Sequence, residues 1–402
     1  MSAAFDKVRL SNHSPVGNLV ERAQALVPLL ARDAARAESQ RRLTDEVMAA
    51  LDEAGLFRIL QPRRFGGFEA DFRTAAAVTS ELAKGCASTA WLVALMGNVS
   101  WIIGLGPDRL QRDIWGENPE ARGAGSFAGA VESRLVHGGL RVTGKWMAAS
   151  GCLHADWAGL GVPVVDAEGR VIARGLAFIP MRELKIEETW FTAGMRATGS
   201  NTLVAENVLV PEHRILSMPD LIAGKYATPY KDEALYRSSF IPAAISAIAT
   251  VQLGLATRAL ELVSENAPKR AVAHTTYASR ANAPSVQIAV ARAAMLIDSA
   301  RFHLGRHTET VDEAAAAGRT LDYLERARAR MEGGHVAETA RAAIRILCEA
   351  NGTSTFADSN PLQRIWRDSE TAASHAGLHP DINAEIYGRA LLGVTETISP
   401  LV

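Results

Sequence analysis

The chain has 402 residues, 48% of them hydrophobic, and 43 basic against 44 acidic side chains leave a formal charge of −1. That balance, without a basic stripe, excludes a nucleic-acid or membrane-surface role built on charge, and the length allows two or three domains. Three cysteines (Cys86, Cys152 and Cys348) form neither a disulfide framework nor a metal-ligand spacing, as expected of reduced thiols in a cytoplasmic protein.

The N-terminus starts polar and charged, which argues against a signal peptide. Residues up to 122 read as helices. Leu19 to Leu30 is apolar at helical spacing, and Thr44 to Ala54 repeats the pattern until Gly55 stops it. Gln61 to Gly67 is a turn by its Pro and Gly-Gly punctuation, and Thr74 to Leu82 and Ser88 to Leu105 resume helix. The longest apolar run, Trp91 to Leu105, is broken by Gly97, Asn98 and Ser100. It falls short of the roughly 20 residues of a membrane span, so a buried core helix is expected.

From 123 to 232 the pattern becomes strand-like. Leu140 to Trp146 alternates apolar and polar side chains. Ala158 to Val165, Gly175 to Pro180, Leu184 to Glu188 and Thr202 to Val210 are further short strands, which predicts a small antiparallel barrel or sandwich. From 233 to 402 the chain is Ala-rich and helical again, over Ile241 to Glu265, Pro284 to Arg306, Leu321 to Ala350 and Asp381 to Leu392, a bundle pattern. Ala243, Ala244, Ala247 and Ala249 permit close helix approach, within the bundle or between subunits. Such an α–β–α chain leaves a cleft between domains where ligands sit.

Four segments carry candidate chemistry. Trp146 to Cys152 runs a strand into a Ser150-Gly151 corner, where a freely rotating hydroxyl can give or accept a hydrogen bond; a plain turn explains the same residues. Trp190 to Asn201 places two aromatics before a hydroxyl-rich loop containing Thr198 and Ser200, suited to a flat heterocycle or to a polar hairpin. Gly352-Thr353-Ser354-Thr355 fits a phosphate cradle or a helix C-cap. His375 and His379 are four apart and would share a helix face, but Pro380 and the missing third ligand argue against a metal. Trp91 and Phe127 are candidate walls for a flat substrate. No Gly-x-Gly-x-x-Gly, Gly-x-Ser-x-Gly or Gly-Lys-Ser/Thr motif is present, so a Rossmann cofactor, a hydrolase elbow and a phosphate-binding loop have no support.

In order and spacing, Pro62 to Gly67, Cys86 to Trp91, Gly144 to Trp157, Gly194 to Asn201, Pro211 to Arg214 and Pro361 to Gly388 resemble the acyl-CoA dehydrogenase superfamily. They are most similar to its oxygenase branch, the group D two-component flavin-dependent monooxygenases, over nearly the whole chain. The resemblance implies an α+β fold: an N-terminal α-helical domain (1–122), a central antiparallel β-barrel (123–232) and a C-terminal four-helix bundle (233–402), assembled as a homotetramer. It implies reduced FMN or FAD supplied by a separate NAD(P)H:flavin reductase, with O2 as co-substrate.

By position, Ser150 matches the hydroxyl at flavin N5, with Trp146 beside it. Trp190, Thr198 and Ser200 match the flavin-flanking segment, Gly352 to Thr355 a flavin-phosphate contact, and His375, with His379 as rival, the active-site histidine. The dehydrogenases carry a catalytic glutamate in that last region, and the histidines point instead to hydroxylation of a small aromatic substrate through a flavin C4a-hydroperoxide. An FAD-dependent acyl-CoA dehydrogenase, with Glu370 as the nearest carboxylate, and a non-catalytic flavin-binding relative are the alternatives. One departure from the family pattern lies at Ser126 to Ala130, which shapes the substrate pocket, so no substrate is carried over.

Overall fold

Polar caps start the early helices where short side chains precede apolar stripes. The structure, a computed structural model, describes residues 18–394 and 396–402; the charged N-terminal start lies outside them. Helix α1 (Leu19–Gln40) runs ten residues past its apolar stretch and stops at Arg41, which adopts φ 54°. Thr44 caps α2 (Asp45–Glu53) by accepting from the Val47 N–H, and Asp71 caps α3 (Phe72–Gly85) by accepting from the Thr74 N–H. Helix α4 (Ala87–Leu105) is buried on nearly every side, and α5 (Asp108–Trp115), which the sequence pattern did not suggest, follows it.

Two four-stranded sheets come next. The first holds β1 (Gly123–Ser126), β4 (Trp157–Val165), β5 (Val171–Pro180) and β8 (Ile215–Ser217), in that order. The second holds β2 (Gly129–Val136), β3 (Gly139–Ala149), β7 (Asn201–Pro211) and β6 (Lys185–Glu187). Two expectations change here. Strand β1 runs parallel to β4, so the sheets are not wholly antiparallel. Among the described residues no ladder closes the sheets into a barrel; they pack face to face on Leu140, Val142, Trp146, Leu160, Ile179 and Leu203. A single bridge, Gly125 to Ser150, joins them.

A short helix α6 (Met218–Ile222) leads to α7 (Phe240–Asn266), α8 (Pro284–Ala316) and α9 (Tyr323–Asn351), which pack on one another. Helix α10 (Pro361–Ala373) lies against α7 and α9, and α11 (Pro380–Leu391) against α9. Helix α7 also meets α3 so closely that a Cβ on Gly254 would sit 2.2 Å from the Ser80 carbonyl oxygen. One continuous apolar core therefore joins the N- and C-terminal helices, from Leu19 to Leu378. Two segments, Ala87–Leu105 and Phe240–Lys269, are long and apolar enough to cross a membrane, but 94% and 83% of their most apolar windows are buried inside this core. The second exceeds the run singled out from the sequence, and burial gives each a packing role in the fold.

Candidate functional site

Strand β3 ends in a bulge that redirects its last side chains. Trp146 pairs with Leu203 and Ala149 with Asn201, so three steps on β3 meet two on β7. Ala148 takes φ 56° and Gly151 φ 78° around this kink. The extra residue reverses the alternation of the strand. Trp146 turns into the inter-sheet core, fully buried, with its indole N–H donating to the Gly161 carbonyl at 2.7 Å. Ser150 lies at the seam of the two sheets instead. The structure thus separates Trp146 from Ser150, although the two were expected to share a cofactor surface.

Ser150 belongs to a chain of hydrogen bonds. The Trp91 indole N–H, from α4, donates to Ser150 Oγ at 3.1 Å. Ser150 Oγ lies 2.7 Å from Ser200 Oγ, which lies 2.6 Å from Thr198 Oγ1. Thr198 donates to the Met195 carbonyl at 2.8 Å, and the Trp190 indole N–H donates to the same oxygen at 2.9 Å. Of the hydroxyls, Ser150 is 7% exposed, Ser200 2% and Thr198 1%, so only the first has surface to offer a ligand.

His375 closes the other side. Its ring meets Trp91 edge to face, with centroids 5.9 Å apart and planes at 63°. It caps a single 3-10 turn, Ala376–Leu378, and its Nδ1 accepts the Gly377 N–H at 3.1 Å. A Cβ on Gly377 would come within 2.8 Å of Ile248 Cδ1 and 3.3 Å of His375 Nδ1, so glycine allows that N–H to approach the ring without displacing its neighbours. With Nδ1 occupied as an acceptor, a neutral ring carries its proton on Nε2. The side chain opens to solvent at one face while protein packs closely around the rest, and that desolvation lowers its pKa below the ordinary imidazole value. His375 is therefore neutral near pH 7 and presents Nε2–H.

His379 stands apart from this pair. It precedes α11 outside any shared helix face, because the 3-10 turn intervenes, and among the described residues its side chain makes no hydrogen bond. Glu370, the nearest carboxylate, is held in ion pairs by Arg341 and by Arg345, the latter at 2.7 Å.

The loop carrying Thr198 and Ser200 is fastened by residues to which the sequence assigned no role. Met195 adopts φ 53°, and its N–H donates to buried Asp368 on α10 at 2.6 Å. Arg367, beside Asp368, reaches the Ala193 carbonyl and pairs with Glu38 of α1 at 2.6 Å. Asn201 Oδ1 accepts from the backbone N–H groups of Thr189 and Trp190 and so sets the tryptophan. Asp368 lies within the Pro361 to Gly388 segment that carries the family resemblance. The left-handed Met195 carries no sequence signal, since such a conformation is read only from glycine or asparagine.

Two calls fall at the margins. Phe127 is half exposed just beyond β1, near Met147, whose carbonyl accepts from Ser126 Oγ at 2.7 Å; together they give an apolar rim close to Ser150. The Gly352 to Thr355 loop is not part of the Ser150 network. Thr355 is fully buried, donating to the Cys348 carbonyl at 3.0 Å, and Ser354 donates to Asn351 O at 3.1 Å, so both hydroxyls serve the C-terminal cap of α9. Gly352 (φ 71°) and Thr353 remain accessible. Among the described residues no cluster of three or more His, Cys, Asp or Glu side chains could hold a metal ion.

Known proteins resemble the chain over most of its length. The model of the acyl-CoA dehydrogenase N-terminal domain matches residues 22–115, and that of the C-terminal domain matches 246–380. The chain is 35% identical over 367 residues to the flavin-dependent monooxygenase oxygenase subunit HsaA of Mycobacterium tuberculosis, covering 90% of this chain and 92% of that one. It is 31% identical to the oxygenase component of the FADH(2)-dependent resorcinol hydroxylase of a Rhizobium species, covering 94% and 95%. The crystal structure of XiaF from a Streptomyces species, in complex with FADH2 and glycerol, superposes with a TM-score of 0.90 at 35% identity, covering 96% and 97%.

Proposed function

The chain belongs to the acyl-CoA dehydrogenase family, on the branch of the flavin-dependent monooxygenase oxygenase components, and from this we propose that it hydroxylates a small aromatic substrate using O2 and reduced flavin delivered by a separate reductase. The observation that carries the reading is the Ser150–Trp91–His375 constellation, together with the ion pairs from Arg341 and Arg345 that hold Glu370, the carboxylate nearest to His375 in sequence.

The residues fit a flavin. Ser150 offers a hydrogen-bonding oxygen at the mouth of a buried polar chain, and Trp190, Phe127 and Met147 supply flat or apolar surface nearby. Reduced flavin, when bound, supplies the two electrons that activate O2 for insertion of one oxygen atom. Ser150 would hold the N5 edge of its ring, with Thr198 and Ser200 behind it.

His375 acts at Nε2. Because Gly377 occupies Nδ1, the neutral ring gives a hydrogen bond at Nε2 and does not take a proton there. In this reading it donates that hydrogen bond to the substrate oxygen and so orients the ring carbon to be oxygenated. Trp91 orients both His375 and Ser150 and keeps water from the space between them. FMN and FAD are both compatible with the residues present. Homotetrameric assembly and a cytoplasmic location belong to the same proposal; a subunit contact is supported by Ile288, Met295 and Phe302, which line one face of α8 at seven-residue spacing and are all exposed.

The test is turnover with reduced FMN or FAD regenerated by an added reductase, across a panel of phenols, with O2 uptake, H2O2 release and hydroxylated product quantified together. Product coupled to O2 uptake supports the proposal. Bleaching of bound oxidised FAD by an acyl-CoA, without product from any phenol, would replace it with a dehydrogenase.

A further inference from the structure

A hydroxyl group has one proton to give, and both ends of the chain behind Ser150 are fixed. At one end the Met195 carbonyl can only accept. Thr198 spends its proton there, at 2.8 Å, and Trp190 fills the second lone pair of that oxygen at 2.9 Å. Asp368 holds the N–H of the same residue in its left-handed conformation, and the carbonyl oxygen has no proton to give. Thr198 must then accept from Ser200 at 2.6 Å, and Ser200, its proton spent, must accept from Ser150 at 2.7 Å. At the other end the Trp91 indole can only donate, and it does so into Ser150 Oγ at 3.1 Å. Ser150 is left with no proton to give and one open lone pair.

We propose that this wiring makes Ser150 an obligatory acceptor, and that Ser200 and Thr198 thereby set the redox preference of the site for flavin carrying a proton on N5. Reduced flavin has an N5–H that matches the open lone pair. Oxidised flavin presents a bare N5 acceptor, so two lone pairs would face each other in a nearly dry site, where an unmade hydrogen bond is costly. Ser200 and Thr198 act through Ser150 and are positioning residues. For an oxygenase fed by a separate reductase the consequence is directional: the site accepts flavin charged with electrons and lets it go once spent. The inference rests on the reading above that Ser150 meets the N5 edge.

The experiment measures Kd for oxidised FMN and FAD, and anaerobically for their reduced forms, with the full chain and with Ser200→Ala and Thr198→Val. Wild type is expected to bind the reduced form more tightly. Ser200→Ala frees the Ser150 proton for N5 of oxidised flavin, and the oxidised affinity should rise about tenfold relative to the reduced one. The two-electron midpoint potential of bound flavin should fall by about 30 mV, the equivalent of that tenfold change. Thr198→Val returns the Ser200 proton towards Ser150 and should shift the ratio the same way. In a Ser150→Ala background neither substitution should move it further.

Variants that weaken both redox forms equally, leaving ratio and potential where they were, would overturn the wiring while leaving the flavin reading intact. A wild-type chain that binds oxidised flavin as tightly as reduced flavin would do the same. A wild-type chain that binds flavin in neither state would overturn the flavin reading itself.

Discussion

His375 and Trp91 meet edge to face at 5.9 Å, and the same indole ends in a hydrogen bond on Ser150. One rigid ring thus sets the spacing between His375, the proposed contact to substrate, and Ser150, the proposed contact to the flavin edge. Rigid spacing matters because catalytic hydrogen bonds lose their effect when the supporting ring can drift by about an ångström. Removing His375 should therefore separate chemistry from binding. His375→Ala is expected to keep the flavin Kd within about threefold and to lower product formation by about 10²-fold or more, with O2 appearing as H2O2. His379→Ala, at an exposed cap with no hydrogen bond of its own, should leave the product-to-H2O2 ratio unchanged. The reverse pattern would move the catalytic role to His379.

Gly194 lets the Thr198 loop touch the backbone of α10. A Cβ there would lie 2.1 Å from the Arg367 carbonyl oxygen and 2.6 Å from Thr371 Oγ1, neither of which can retreat without moving the helix. Gly194→Ala should cost about 1–3 kcal/mol in stability, as overpacking does. It should also weaken reduced and oxidised flavin together, since it displaces the whole loop and not one proton. Thermal melting and the two flavin Kd values check both halves.

Asp368 gives a pH dependence of defined sign. Burial pushes its pKa up to about 6, from 3.8 in the unfolded chain, against the Met195 N–H that favours the anion. The folded state binds the proton more tightly, so the stability it contributes is complete below pH 3.8 and lost as pH rises through about 6. The loss amounts to about 3 kcal/mol by the time the group is ionised. Asp368→Asn keeps an oxygen for Met195 and should flatten stability across that window; denaturant midpoints measured from acid to neutral pH read the effect. Asp368→Ala leaves the Met195 N–H buried without a partner and should instead lower stability at every pH.

Long helices and the strongest strands were legible because their apolar residues repeat at 3.6 or at 2, as in Leu19 to Leu30 and Leu140 to Trp146. Strand β2 was not, because five of its eight residues are exposed, none is buried, and no clear alternation survives. Strand β1, Gly-Ala-Gly-Ser, has almost no side chain to pattern. The family resemblance implies Trp146 beside Ser150; the bulge at Ala148 instead leaves its ring fully buried in the inter-sheet core, and nothing in Met147-Ala148-Ala149 announces it. Of the site, Ser150, Trp91, Ser200 and His375 were readable as residues. Their order in a hydrogen-bonded chain was not, since it depends on Met195 and Asp368, which lie 173 positions apart and are joined only by the packing of α10 on the loop.

Glu370 decides between the two enzymes this family can build. An acyl-CoA dehydrogenase needs a carboxylate free to take a proton from carbon beside a thioester, and a base must come within hydrogen-bond reach of that proton. Glu370 is one-quarter exposed and tied to Arg341 and Arg345 on α9, with the Arg345 contacts at 2.7 and 2.9 Å. Both guanidinium groups hold its carboxylate oxygens in ion pairs with α9. Glu370→Gln breaks the charge of those pairs while keeping the side-chain shape, so its cost should be structural and modest, about 1 kcal/mol for a partly exposed pair. Hydroxylation per bound flavin should be unchanged. Loss of all turnover in this variant, with Tm preserved, would mean that the carboxylate does the chemistry after all and that the His375 assignment is wrong.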